Sequence, residues 1–362
     1  MLNRKVHERS SLNGRGSLSN PQIRFETLTR EEFDDDWEGG EVDRKIPTQY
    51  FLDASKSILS KNDSPDLGFT FGLNPYRGCE HGCVYCYARP THEFLAFSSG
   101  LDFETKIMVK KGAAALLEHE FRKKSWTPDI VMLSGNVDCY QPVERKLNIT
   151  RQCLEVFLRY RNPVAMITKN ALVLRDLDLL SQLASLNLVT VCLSVTTLDP
   201  NLARRMEPRT STPVQRLHAI EELAKARIPV TVNAAPVIPG LNDEELPSIL
   251  REAALRGATS ARYTMLRLPY SVKELFVDWL KREYPAKVEK VLNRVMDVRD
   301  GKMNDSAFST RMKGTGEIAH AIEQLFRASC KKCGLNSTYT PLSTDKFVRP
   351  SADPTQNELK FS

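Results

Sequence analysis

Between Leu67 and Leu268 the sequence switches six times between a short apolar run and a longer segment of helical periodicity. The apolar runs are LGFTFGL, DIVMLSG, PVAMITK, LVTVCLSVTT, IPVTVNAAPVIPG and ATSARYTMLRL. The segments between them include GAAALLEHEFRKK, ITRQCLEVFLRYR, ALVLRDLDLLSQLASLN, TPVQRLHAIEELAKAR and NDEELPSILREAALRG. Runs of this length are strands. Their near-continuous apolar character is that of strands covered on both faces, as in parallel sheets. Parallel neighbours need a long crossover, and the helical segments supply it. The alternation therefore predicts βα units and a parallel sheet. Local punctuation agrees. Thr212 precedes Pro213 as an N-cap before a first-turn proline, Asn242 stands where the next helix needs a cap, and Gly257 stands where it must stop. Pro269 to Cys333 reads as helices around the loop RDGKMNDSAFSTRMKGTG.

Both ends differ from this core. Residues 1–44 begin basic and rich in Ser, Asn and Gly, then turn acidic at Glu31 to Asp43, and neither composition favours packing. They are expected to be a disordered tail, with a partner-docking arm as the alternative. Residues 341–362 are similarly loop-like. The expected division is thus tail 1–44, core 45–268, helical extension 269–340 and tail 341–362. The first residues lack the apolar stretch of a signal peptide, and no run is long enough to span a bilayer, so a cytoplasmic protein without membrane contact is expected. The net charge of +6 permits an anionic partner but falls short of a dedicated nucleic-acid binder.

In parallel α/β folds, ligands bind beyond the C-terminal ends of the strands. Three of the eight cysteines, Cys79, Cys83 and Cys86, follow the first strand there in the loop NPYRGCEHGCVYCYARP. Crowded thiols in a chain without export signals read as metal ligands rather than disulfide partners. Structural zinc closes with four protein ligands, and the common ferredoxin run has a different spacing with a fourth cysteine. Three thiolates instead suit an open-coordinate [4Fe–4S] cluster whose remaining iron accepts a small molecule. A zinc or ferredoxin-like site is the competing reading.

The C-x3-C-x2-C spacing, with Tyr85 just before the third cysteine, resembles the radical S-adenosylmethionine (SAM) superfamily. NPYRGCEHGCVYCYARP, VDCYQPVE and APVIPGLNDEE are similar to its spore photoproduct lyase-related, DNA repair photolyase-like branch. The later LRLP and RDGKMNDSAFSTRMKGTG resemble an uncharacterised subgroup of that branch. The resemblance covers about Phe69 to Leu268 and implies a partial (β/α)6 TIM-type barrel with a helical C-terminal extension. It implies two cofactors, a [4Fe–4S] cluster on Cys79, Cys83 and Cys86, and SAM. An electron from the cluster then cleaves SAM to a 5′-deoxyadenosyl radical that abstracts hydrogen from a substrate.

The resemblance also assigns residues. Tyr85 lies against adenine. Ser134 and Gly135, in LSGN after the second strand, bind the methionine amino group. Lys169 pairs with the SAM carboxylate, Ser194 contacts ribose, and Asn233 contacts adenosine or ribose. Each has an ordinary alternative: a turn, a solvated lysine, or a capping hydroxyl or amide. Glu207 and Arg209 are candidates for contact with SAM or substrate, or an internal ion pair. The lyases quench a substrate radical with a cysteine assisted by tyrosines, which makes Cys139 and Tyr87 catalytic candidates. Cys139, however, follows Asp138, whereas the lyase cysteine precedes its local aspartate. A core role for Cys139 is the competing reading. Cys153 and Cys192 read as core, and Cys330 and Cys333 as a helix-end pair.

The expected function is radical SAM chemistry on a nucleic-acid lesion or modification. Peptide or small-molecule modification and a non-enzymatic iron–sulfur redox sensor are the rivals. A reduced flavodoxin- or ferredoxin-type donor and nucleic acid are the expected partners. The loop from Arg299 to Gly316 is a further candidate for nucleic-acid contact, although Phe308 is its single aromatic residue.

Overall fold

Backbone hydrogen bonds pair the strands of the apolar runs side by side in chain order, and their Val, Ile and Leu side chains fill the core. The computed structural model describes residues 14–25, 46–338 and 340–350. Its strands are β1 (Gln49–Leu52), β2 (Leu59–Lys61), β3 (Phe71–Leu73), β4 (Tyr76–Arg77), β5 (Lys106–Val109), β6 (Val131–Leu133), β7 (Val164–Thr168), β8 (Val189–Ser194), β9 (Val230–Val237) and β10 (Ser260–Met265). The main sheet runs β10-β9-β8-β7-β6-β3-β2. All its pairings are parallel except β2 on β3. The six strands expected from the sequence are thus β3 and β6 to β10. Their sequential order never reverses, so each βα unit advances the sheet in one direction, as in a barrel. Among the described residues the edges β2 and β10 do not pair, and the barrel is partial.

The crossovers are α1 (Ala113–Arg122), α2 (Ile149–Tyr160), α3 (Leu177–Ser185), α4 (Pro213–Lys225) and α5 (Leu246–Leu255). Thr212 caps α4 through a reciprocal capping box with Gln215, as its position predicts. Asn242 does otherwise. It accepts from Ile238 N and donates to the Thr196 and Pro236 carbonyls, which locks the end of β9, and α5 starts three residues after a short 3₁₀ turn begins. An asparagine amide serves strand-end carbonyls as readily as a helix terminus. The extension consists of α6 (Val272–Glu283), α7 (Val288–Asp297) and α8 (Gly316–Cys333), with α8 packed against α5. Cys330 and Cys333 fall in the last turn of α8, which ends at Gly334 in the left-handed conformation.

Two features lie outside the sequence expectation. Strands β1, β5 and β4 form a small second sheet beside the cysteine loop. Residues 14–25, within the stretch read as a disordered tail, lie against the body. Arg15 donates to the Glu104 and Ile46 carbonyls, and Ser98 Oγ donates to the Pro21 carbonyl. At the other end, Val348 N donates to the Tyr160 carbonyl, and Phe347 meets Phe121 edge-on at 6.0 Å. The acidic run Glu31 to Asp43 lies outside the described residues. No helix among the described residues is long and apolar enough to cross a membrane.

Candidate active site at the cysteine loop

The loop leaves β3 at Leu73 and is bound on every side by its own backbone groups. Cys79 N donates to the Phe103 carbonyl at 2.9 Å, Val84 N to the Met206 carbonyl at 3.1 Å, and Arg209 N to the His81 carbonyl at 3.2 Å. Gly82 has φ +68°, a region L side chains rarely adopt. Glu80 is buried yet fully occupied: its carboxylate accepts from Val143 N, Thr48 Oγ1 and Tyr50 OH, and faces Arg209 at 3.3 Å. Arg89, with none of its surface exposed, donates to the Cys83 carbonyl and to Glu104. A buried guanidinium–carboxylate pair of this kind is costly to break from one side.

The thiols bear on one another's charge. Burial pushes the Cys83 thiol up; Glu207, Cys86 and Cys79 push it further, and Lys169 opposes. Cys86 is raised by burial and then by Cys79, with Arg89 opposing. Thiolates at Cys83 and Cys86 are stabilised by nearby positive charge such as a metal supplies. Among the described residues no three His, Cys, Asp or Glu side chains converge as they would on a single metal ion. Three thiols with no fourth cysteine in the loop fit an open-coordinate [4Fe–4S] cluster better than a structural zinc, which closes with four protein ligands, so the residues present accommodate the cluster.

The expected SAM residues lie around this loop at the strand ends. Tyr85 is buried, and its hydroxyl donates to Glu207; Lys169 Nζ lies 5.9 Å from its ring centroid. Lys169 makes no ion pair among the described residues, while its backbone N–H donates to Asp138 at 2.7 Å. Ser134 follows β6 with φ +81°, its Oγ donating to the Val137 carbonyl and accepting from Cys139 N. Gly135 gives its carbonyl to Tyr87 OH. Ser194 ends β8 and pairs in register with Asn233 of β9. The Ser194 carbonyl is held by Arg216 at 3.1 Å.

The two catalytic candidates part company. The side chain of Tyr87, beside Cys86, is 46% exposed. Cys139 has none of its surface exposed, sits in the main core cluster, and its thiol is raised by burial. A hydrogen donor must touch the substrate radical, and a fully covered thiol does not. Its backbone explains the burial: its N–H and carbonyl are bonded to Ser134 and Thr150. Glu207 and Arg209 make internal contacts. Glu207 accepts from Tyr85, Thr196 and Arg216, and Arg209 faces Glu80.

Sequence reasoning passed over His81 and Asp138, which meet at 3.4 Å behind Cys79. Burial alone would discharge His81, but Asp138 and Cys79 raise it to about 10. Asp138, which burial alone would raise, is held at about 2 by His81 and by hydrogen bonds from Lys169 N and Thr168. The pair ties the cysteine loop to the ends of β6 and β7. The alternation of His81 with the cysteines was the available signal.

The family model of the radical SAM superfamily matches residues 73–253. An uncharacterised protein of Mycobacterium tuberculosis is 38% identical over 238 residues, covering 65% of this chain and 70% of that one. An uncharacterised protein of Methanocaldococcus jannaschii is 27% identical over 227 residues, covering 63% and 81%. Among solved structures, spore photoproduct lyase complexed with dinucleoside spore photoproduct matches with a TM-score of 0.56 at 16% identity, covering 79% of this chain and 80% of that one. A variant of that lyase with bound AdoMet and the same dinucleoside matches with a TM-score of 0.57 at 16% identity, covering 81% and 86%. At such identity the likeness is one of fold.

Proposed function

The chain belongs to the radical SAM superfamily, and from that premise we propose that it abstracts hydrogen from a nucleic-acid lesion or modified nucleotide. The cofactors of the family are a [4Fe–4S] cluster and SAM, and Cys79, Cys83 and Cys86 are the residues to hold the cluster. When bound, the pair supplies a 5′-deoxyadenosyl radical, with the electron coming from a reduced flavodoxin- or ferredoxin-type donor.

The chain's own part is to bind, orient and shield. The Tyr85 ring, fixed by Glu207, offers a flat face for adenine. Lys169 brings a positive charge for the SAM carboxylate, and Ser134 and Gly135 form a close-approach turn for its amino group. Ser194 at the end of β8 and Asn233, its register partner within β9, are the candidates for the ribose. Tyr87, at the open side of the loop, is the candidate that can meet substrate; Cys139 is not.

The observation that carries the reading is the cysteine loop itself: Cys79, Cys83 and Cys86 beyond the C-terminal end of β3, with Lys169, which makes no ion pair among the described residues, beside Tyr85. A nucleic-acid substrate is supported by the fold shared with a lyase complexed with a dinucleoside photoproduct and by the arginines at the rim near Tyr87. The test is 5′-deoxyadenosine formation by anaerobically reconstituted, dithionite-reduced protein given SAM. We expect formation by the unaltered chain, with at least a hundredfold loss in Cys83→Ala. Equal, background amounts from both would leave the redox-sensor reading standing instead.

A further inference from the structure

Beside Cys86 the rim carries side chains that neither the cysteines nor the SAM residues use. Arg267 follows β10, and its guanidinium carbon stands 5.2 Å from the centroid of the Tyr87 ring. Among the described residues its Nε is buried without a hydrogen-bond partner, and its one contact of hydrogen-bond type is the Met312 sulfur at 3.9 Å. A guanidinium carries five donors, and buried ones normally spend them on oxygen. No carboxylate pairs with Arg267 among the described residues. Asp66, whose charge bears on it, is engaged by Arg311 at 2.6 Å.

More positive charge gathers there. Arg299 is 2% exposed, and its Nε also lacks a partner, while its other nitrogens hold the Leu266 and Thr310 carbonyls. Burial, then the like charge of Arg311, holds Arg267 below the ordinary arginine range. Burial also lowers Arg299 to about 10, with Asp305 opposing and Arg267 adding to the fall. Like charges kept close in a partly dry place are stabilised by an anion.

The flanking aromatics say which anion. Tyr87 is 46% and Phe308 53% exposed, each with an arginine over its ring: Arg267 on Tyr87, and Arg311 on Phe308 at 4.6 Å. The sequence showed Phe308 alone in its loop, but in the fold the charge of Arg311, which covers Phe308, also bears on Arg267 and Tyr87. Exposed aromatic faces alternating with guanidiniums are how single-stranded nucleic acid is held, with bases on the rings and phosphates on the charges. A carboxylate alone would neutralise Arg267 but would leave the exposed faces of the two rings unused.

We propose that Arg267 binds a substrate phosphate, with Tyr87 and Phe308 as the stacking faces for the bases on either side of it. This rests on the nucleic-acid reading above and names its contacts. The experiment is fluorescence anisotropy of a 5′-labelled single-stranded DNA oligonucleotide, titrated with the full reconstituted chain over a range of salt concentrations. Losing one phosphate contact in Arg267→Gln should weaken binding about tenfold and flatten the slope of log affinity against log salt by about 0.7. Arg267→Lys, which keeps the charge, should retain the slope. Phe308→Ala should weaken binding about tenfold without changing the slope. A thermal midpoint matching the unaltered chain marks each variant as folded. Wild-type affinity and slope in Arg267→Gln overturn the proposal. If that variant does not fold, wild-type affinity in both Arg267→Lys and Phe308→Ala overturns it. An unaltered chain that makes 5′-deoxyadenosine yet binds no oligonucleotide overturns the nucleic-acid reading and this inference with it.

Discussion

Glu207 shows how much one residue decides. Its carboxylate is fully enclosed and takes hydrogen bonds from Tyr85, Thr196 and Arg216. Burial pushes it up, but Arg216, Lys169 and these hydrogen bonds hold it below its ordinary 4.5. A carboxylate depressed by folding stabilises the fold fully above its unfolded pKa, and that stabilisation is lost as pH falls through the folded value. Glu207→Gln should therefore cost about 3 kcal/mol at neutral pH, by leaving Arg216 unpaired in the interior. It should also flatten the decline in stability below about pH 4.5. Urea unfolding at several pH values measures both; an unchanged acid limb would show that the ion pair is not the source. On sequence, Glu207 and Arg209 are either contacts to SAM or substrate or members of an internal ion pair, and the structure shows ion pairs, Glu207 with Arg216 and Arg209 with Glu80. Sequence spacing places Glu207 near the rim. It does not reveal that Arg216, nine residues on and one helix turn into α4, returns beneath it.

Elements were legible where a local rule sufficed. Six strands and five crossover helices follow from apolar runs and helical periodicity, and Thr212 with Pro213 marks a helix start by its own chemistry. The small β1–β5–β4 sheet was not legible, because every β1 residue is exposed and carries no burial pattern. Nor was the docking of residues 14–25, which depends on a close steric fit as well as on the burial of a single apolar side chain, Ile23. A Cβ on Gly16 would fall 1.8 Å from the Gly82 carbonyl oxygen, while the Gly16 and Ser17 amides donate to Glu104. Gly16→Ala should therefore expel this segment and speed its amide exchange at least tenfold. Gly68→Ala, where an added Cβ meets nothing within 4 Å, should leave that exchange unchanged. Equal exchange in the two variants would show that close approach does not hold the segment.

At the scale of the whole molecule, the partial barrel is covered by segments from both ends of the described chain. Phe347 joins the Phe121–Tyr160 aromatic group, with Val348 and Arg349 bonded to the body alongside it. Phe347→Ala should lower stability by about 2 kcal/mol, less than a fully buried phenylalanine would cost, and a urea midpoint identical to wild type would remove this segment from the folded unit. The N-terminal segment has a different consequence. Arg89 grips the Cys83 carbonyl and Glu104 together, and Glu104 in turn grips Gly16 and Ser17. Whatever steadies the turn at Cys83 reduces the entropy still to be lost when the segment docks. The reverse holds by thermodynamic reciprocity. The turn at Cys83 and the N-terminal segment thus share one anchor, the buried carboxylate of Glu104.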